Sequence, residues 1–512
     1  MNNFFLTVLI VITPMLFMWQ PYDLRHFTTI IFCTIGLWLV MFNVIYISIP
    51  SWYILSFGLL LVMSMCWTSN YHQSLIDMCY WLSMLFIYEI SKFVPLEFLM
   101  VIITLPIAFL FPIALWQKLQ KNPHVGSVYG NANHLGSHCV IMFFAALWLT
   151  INISLWNVIP LTAVVMALII AEECKSAYIS ILVGSGYVLY SLAPTQYSYV
   201  GIGVLSIVVT IILIRKLYIR PVRSVMNKRI WAYANEQSIK TGKTVKECYE
   251  KRYAEEKDKP PVYSARLGHL MAVWSCIKRK PVLGWGLRSF RREQFFGVDR
   301  ILRKNPKAFD KIISPSTHRL HCDILEFWHE LGIVGFALFI LILYKIPYSA
   351  DPIVTGGIIA VLLLSTMFFP LREAYTAIPF FAMAGALSPA KSVLISPTLM
   401  LVTATLAISY ICYIVAVKRI ISLYYWFKVP TAKNEHDYTK ALRNAHLLDP
   451  FNNQILMHLF GQTIKTNSEF ALNCVMRMTE HFDGTITAAA VLEVRPHFPV
   501  QPPENKKKRK KK

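Results

Sequence analysis

The chain has 512 residues, of which 55% are hydrophobic and 15% charged, with a formal net charge of +22 and a mean hydropathy of +0.48. These proportions exclude a soluble globular enzyme and a disordered chain, and they indicate an all-α, polytopic integral membrane protein. The surplus positive charge lies in residues 219–330 and in the run Lys506–Lys512, which suits an anionic headgroup or a pyrophosphate at a membrane surface rather than nucleic acid.

In chain order, apolar stretches able to cross a bilayer of about 30 Å occur near 3–19, 27–49, 51–68, 74–93, 97–116, 134–153, 155–171, 176–193 and 198–217. The first lacks a basic leader and is followed at once by further spans, so it is expected to be a transmembrane helix rather than a cleaved signal. Residues 1–218 therefore form an N-terminal transmembrane block of about nine helices. Residues 219–327 form a large basic hydrophilic loop. Its middle, from about Asn227 to Lys259, is rich in Lys, Glu, Ala and Gln and reads as exposed helix ended by Pro260-Pro261. Tyr263 to Lys280 places Leu267, Leu270, Val273, Trp274 and Ile277 at three- and four-residue spacing, which predicts an amphipathic helix lying on the membrane or the bundle. Pro281 stops it, and Gly284-Trp285-Gly286 supplies a turn where backbone can approach closely.

Further apolar stretches at 328–346, 352–370, 374–390 and 394–417 make a C-terminal block over residues 328–425 and bring the total to about 12–13 helices. Residues 426–490 read as a soluble helical segment. Within it, Ala441-Leu442-x-x-Ala445-x-x-Leu448-Asp449-Pro450 resembles the second half of a tetratricopeptide repeat, and a single repeat needs something to pack against. Residues 491–512 are low-complexity and expected to be disordered. The ten cysteines are scattered without CxxC spacing and indicate neither a zinc site nor a disulfide framework. With nine spans before the large loop, parity brings that loop, the 117–133 loop and the turn at Glu172-Glu173 to one face.

Four constellations on that face carry candidate chemistry. In Tyr129-Gly130-Asn131-Ala132-Asn133-His134, Asn131 and Asn133 precede a helix, as caps, as anion-binding positions, or both. In Cys174-Lys175-Ser176-Ala177, Lys175 sits at a helix start, either snorkelling to the interface or meeting a ligand. Arg266 lies beside the apolar stripe, and Arg288, Arg291 and Arg292 follow the Gly-Trp-Gly turn; a guanidinium fork matches phosphate oxygens. In His318-Arg319-Leu320-His321-Cys322-Asp323, His318 and His321 share a helical face if the helix begins near Thr317, with His329 less well aligned. Glu330 then falls on the opposite side and suits a structural role. The histidines lack the carboxylate or thiolate of a convincing metal shell, so a general base is the sharper reading of His321.

With these residues assembled, the chain resembles the O-antigen ligase and polymerase superfamily, including the pilin-type protein O-oligosaccharyltransferases, over roughly residues 120–390. The resemblance rests on Gly130-Asn131-Ala132-Asn133-His134, on Cys174-Lys175-Ser176-Ala177 where the family pattern is Ser-Arg-Gly/Ala, on Arg266…Trp274…Pro281-x-x-Gly284-x-Gly286…Phe290, and on His321-x-x-x-Leu325…Glu330-x-Gly332-x-x-Gly335. Pro370-Leu371-Arg372-Glu373-Ala374-Tyr375 is similar to the segment before the last helices of the oligosaccharyltransferase branch. The resemblance implies a GT-C-like membrane glycosyltransferase of the bacterial inner membrane with a periplasmic-facing site. It implies metal- and cofactor-independent transfer of a glycan from undecaprenyl diphosphate to an acceptor, either a lipid A-core sugar or a protein, or polymerisation of a surface polysaccharide. By the same resemblance His321 would be the base, Arg266 and Lys175 would bind the pyrophosphate with Arg288 beside them, and Asn131, Asn133, His318, Glu330 and Arg372 would support the acceptor or the site. Two positions depart from the pattern: Lys175 stands where Arg is usual, and Cys322 where an Asn usually follows the histidine. A flippase for polyprenyl-linked sugars is the reading from another class, but it would carry its charges inside the bundle rather than in one surface loop.

Overall fold

The computed structural model describes residues 1–15, 21–68, 71–120, 125–129, 132–171, 174–192, 244–257, 263–290, 322–390, 392–393, 399–428 and 435–448, with the single residues 234, 293, 320 and 459. The fold is an all-α, polytopic membrane bundle. Its elements are α1 (Asn2–Ile12), α2 (Pro21–Met41), α3 (Trp52–Cys66), α4 (Tyr71–Ser91), α5 (Leu96–Leu119), α6 (Ala132–Asn152), α7 (Leu155–Ala171), α8 (Lys175–Leu192), α9 (Val245–Lys257), α10 (Tyr263–Ile277), α11 (Asp323–Tyr344), α12 (Pro352–Ser365), α13 (Ala374–Leu387), α14 (Leu399–Cys412), α15 (Lys418–Lys428) and α16 (Glu435–Leu448). Among the described residues, α5, α6, α11 and the stretch Val402–Ser422 are each long and apolar enough to cross a membrane, and six shorter apolar helices accompany them. The stretch predicted as a ninth span, 198–217, lies outside the described residues.

Apolar side chains all round a helix mark one that meets lipid on one side and neighbours on the other, or neighbours everywhere. α13 is of the second kind, since every residue from Ala374 to Gly385 is buried. It approaches α4 closely at Gly385, where a Cβ would overlap the Tyr88 carbonyl. α8 and α12 pack backbone to backbone at Gly184, where a Cβ would lie 2.5 Å from the Gly356 carbonyl oxygen, the small-residue contact that lets helices adhere in lipid. Asp351 caps α12 by accepting the N–H groups of Ile353 and Val354, and its other oxygen accepts from Trp148 Nε1 at 2.6 Å. α5, expected as one straight span, is interrupted at Leu105-Pro106 between Leu96–Thr104 and Ile107–Leu119, because proline removes a helical donor and crowds the preceding turn. A two-residue antiparallel pairing, Ile47–Ser48 with Ser392–Val393, joins two connections.

The last apolar helix runs antiparallel to α2. Trp38 Nε1 donates to Ser409 Oγ at 2.9 Å, while at the other end Phe27 and Ile30 pack on Cys412, Val415 and Ala416 and Arg419 lies 5.8 Å from the Phe27 ring centroid. α15 therefore leaves the bundle at the end where α2 begins. α16 folds back on α15, with Ser422 Oγ donating to the Ala445 carbonyl at 2.8 Å, and Ala441, Leu442 and Ala445 are buried. The repeat-like pattern thus packs on the prolonged end of the final apolar helix.

Candidate active site

The site-bearing end of the bundle is built around a break in α11. Gly332, at φ 66° and ψ −172°, interrupts the helix and would orphan backbone groups on both sides of itself. Residues 281–286 supply the missing partners. The N–H groups of Trp285 and Gly286 donate to the carbonyls of His329 (2.9 Å) and Glu330 (2.8 Å), and those of Ile333 and Val334 donate to the carbonyls of Pro281 (2.8 Å) and Val282 (3.3 Å). Gly284, at φ 69°, passes so close that a Cβ would lie 2.5 Å from the Glu330 carbonyl oxygen, and a Cβ on Gly332 would overlap the Val282 carbonyl. Pro281-x-x-Gly284-x-Gly286 and Glu330-x-Gly332 are therefore the two halves of one joint.

Beyond this joint lies a buried ion cluster centred on Arg372, whose side chain is 1% exposed. Its Nη2 meets Glu330 Oε2 at 2.6 Å and its Nη1 meets Asp77 Oδ2 at 3.1 Å, with Glu326 Oε1 and Asp323 Oδ1 each at 3.6 Å. The guanidinium stands over Trp81 and Phe327, 5.8 and 5.3 Å from the ring centroids. Asp77 also reaches Arg288, Oδ1 to Nη1 at 3.1 Å. Four carboxylates and the Arg372 guanidinium removed from water are tolerable only when paired in this way, with the half-buried Arg288 adding a second guanidinium at the edge. Backbone groups tie the cluster to its surroundings: Leu371 N–H donates to Asp323 Oδ2 at 2.9 Å, His26 Nε2 meets the Arg372 carbonyl at 3.0 Å, and Tyr80 donates to the Leu371 carbonyl at 3.1 Å.

The turn that carries Arg372 leads into a second polar layer. Glu373 Oε1 is 3.7 Å from His134 Nδ1, which bonds the Tyr375 hydroxyl at 2.5 Å. Tyr129 bonds His138 Nδ1 at 2.6 Å, and Arg25 lies over the rings of Tyr129 and Tyr375 at 4.7 and 5.0 Å. Burial holds the Tyr129 phenol well above its ordinary range, with Arg25 partly opposing it. The Cys174 thiol donates to the Ala132 carbonyl, and Gly136 lets α6 and α8 meet there, since a Cβ would overlap the Cys174 sulfur. The motifs around Asn133 and Lys175 are thus in contact.

The candidate residues fall as follows. Lys175 is exposed at the first residue of α8 and Asn133 is half-buried in the first turn of α6. Arg288 is half-buried; Glu330 and Arg372 are buried and bonded to each other. Arg266 lies on α10, which spans Tyr263–Ile277 where a helix over Tyr263 to Lys280 was expected; its side chain lies outside the described residues, as do Asn131, His318, His321, Arg291 and Arg292. The shared helical face of His318 and His321 therefore lies outside the described residues; among those described, Leu320 is not helical, Cys322 is extended (φ −168°, ψ 98°) and α11 begins at Asp323 rather than near Thr317. The described flanks of position 321 are nonetheless well anchored. Leu320 N–H donates to Glu326 Oε2 at 2.8 Å, and Leu320 and Cys322 pack with Val273 and Ile277 of α10 and with Phe290. Burial raises the Cys322 thiol above its ordinary range, so Cys322 is a neutral thiol. On α10, burial lowers His269 from its ordinary value of 6.5.

Sequence reasoning missed Asp77, Glu326 and Asp323. For Asp77 a signal existed, because an ionisable residue within an apolar span marks a functional position by default. A continuous path of contacts runs from Cys174 through Ala132, His134, Glu373, Arg372 and Asp77 to Arg288, with Glu326 branching to Leu320. The contacts of Cys174 with Ala132 and of Arg288 with Asp77 lie at the same end of the bundle, the face on which parity places the 117–133 loop, the turn at Glu172-Glu173 and the large loop.

No curated protein matches the chain. Residues 160–340 match the family model described as O-antigen ligase. That stretch contains the Lys175, Arg266, Gly284-Trp285-Gly286, Arg288, His321 and Glu330-x-Gly332 positions, and with the polytopic helical fold it supports membership of this chain in the O-antigen ligase superfamily.

Proposed function

We propose that the protein is a glycosyltransferase of the O-antigen ligase type, moving a glycan from undecaprenyl diphosphate to the hydroxyl of a lipid A-core sugar or of a protein Ser or Thr. The observation that carries this reading is the family match over residues 160–340, which encloses every proposed donor-binding cation and the proposed base. In the transfer, His321 takes the proton of the acceptor hydroxyl as its oxygen attacks the anomeric carbon. The bond from that carbon to the pyrophosphate oxygen breaks, and undecaprenyl diphosphate leaves with the electron pair. A base in reach of the attacking hydroxyl contributes about 10²–10⁴-fold. Arg266, Lys175 and Arg288 stabilise the charge that grows on the leaving oxygens, an effect strengthened where water is excluded. Lys175 acts there as a point charge rather than a two-pronged donor. No metal or cofactor enters the proposed step, and the site is read as facing the periplasm from a bacterial inner membrane.

The chain of contacts from Cys174, the neighbour of Lys175, to Arg288, and the anchoring of both sides of position 321 beside α10, support a common site for cations and base. The test compares wild type with His321→Ala at matched membrane abundance, in a host lacking the gene, and quantifies lipid-linked donor and acceptor-linked product. The expected outcome is accumulation of donor with no product. Donor and product both at wild-type levels would overturn the general-base assignment. In the wild type, a product carrying one transferred block marks a ligase and a ladder of repeats marks a polymerase.

A further inference from the structure

Arg288 is seated by the opposite end of the chain. Its backbone is left-handed at φ 53°, a conformation a non-glycine residue holds only when its surroundings impose it. Trp67, Thr68, Ser74 and Asp77 impose it here. Trp67 Nε1 donates to the Leu283 carbonyl at 3.1 Å; Thr68 Oγ1 and Ser74 Oγ both donate to the Leu287 carbonyl, at 3.2 and 2.5 Å. A Cβ on Gly286 would lie 2.5 Å from Thr68 Cα. Asp77 completes the cradle with one oxygen on Arg288 and the other on Arg372, each at 3.1 Å. The Arg288 side chain is 16% exposed against 1% for Asp77 and Arg372, so it is the guanidinium of this cluster that reaches toward the surface.

We infer that Asp77 is a positioning residue that aims Arg288 at the donor's pyrophosphate, with Ser74 fixing the turn beneath it. The inference rests on the proposed transfer reaction, and it assigns a role to a segment outside residues 160–340. Asp77 acts by orientation: its shared carboxylate ties the outward guanidinium to the fully buried one, so Arg288 cannot swing without disturbing Arg372.

The test is equilibrium binding to full-length protein in lipid nanodiscs, using undecaprenyl diphosphate and, as an uncharged counterpart, undecaprenol. Arg288→Ala is expected to weaken the diphosphate about tenfold, the size of one charge-assisted contact, and to leave undecaprenol unchanged. Asp77→Asn gives a loss of the same order, and the double variant is no worse than Arg288→Ala alone, because the two residues act as one unit. Should Asp77→Asn fail to fold, Ser74→Ala, which removes only the hydroxyl beneath Leu287, gives the selective loss of diphosphate affinity instead. An equal loss for both ligands, or additive effects in the double variant, makes Asp77 merely structural and overturns the inference. Weakened binding in Arg288→Ala with none in Asp77→Asn or Ser74→Ala overturns it as well. Unchanged diphosphate binding in Arg288→Ala removes Arg288 from the proposed site, a different failure.

Discussion

A guanidinium sunk among four carboxylates is expensive to build and more expensive to disrupt. Removing one partner from a buried ion pair typically costs about 3–5 kcal/mol, because the charge left behind has neither water nor a mate. Arg372→Gln is therefore expected to lower membrane abundance and detergent-phase melting temperature far more than Glu330→Gln, which neutralises one acid of four; thermal unfolding of the purified proteins checks the order. His269 gives a pH-dependent counterpart on α10. Burial depresses its folded-state value below 6.5, so the folded state favours neutral imidazole and the unfolded state takes up the proton first. Stability present above that value is lost as pH falls below it. Protection of the amides across α10, taken relative to their intrinsic exchange rate at each pH, is expected to fall as pH is lowered through about 6.5, and His269→Gln, which does not titrate, should flatten the response. At this scale the sequence made Arg288, Glu330 and Arg372 visible as charges but not as partners. Asp77, which pairs with two of them, is 211 residues from Arg288 and 295 from Arg372, and no periodicity connects positions so far apart.

Elements whose own spacing decides their structure were the legible ones. α10 follows from apolar residues three and four apart with a proline after them, and it ends within three residues of the expected place. The apolar stretch at 328–346 is part of α11, which begins at Asp323 and breaks at Gly332. The reason is physical: glycines within an apolar run are compatible with a continuous membrane helix, and only the turn at residues 281–286, distant in sequence, supplies the backbone partners that the break requires. Gly332→Ala is expected to destabilise the protein by more than the helix-propensity gain of about 1 kcal/mol, since a methyl there overlaps the Val282 carbonyl and the backbone is left-handed. Melting temperature and donor turnover should fall together in that variant. By contrast Gly186→Ala, at a glycine with open space around its Cβ position, should be neutral or slightly stabilising.

For the whole molecule, counting spans predicted which loops meet, and the contacts among the starts of α2, α4, α6, α8, α11 and α13 agree with it. The antiparallel packing of the last apolar helix on α2 puts α15 and α16 at the end of the bundle that holds Arg372. Cysteines introduced at Arg443 and Lys278 should react with an impermeant thiol reagent from the same side of sealed vesicles, and one at Leu155 from the other. These three sites are exposed, and the comparison is made with Cys66 and Cys248 replaced by serine. The joint at Gly332 bears on how such proteins can be recombined. Four backbone hydrogen bonds cross between residues 281–286 and 329–334, so the large loop is not an appendage that can be exchanged on its own. A chimera that imports a relative's loop but keeps the resident α11 must match two glycine patterns it did not inherit together. A graft carrying residues 281–334 as one cassette transfers lock and key at once, and it is the smallest exchange expected to yield a folded hybrid.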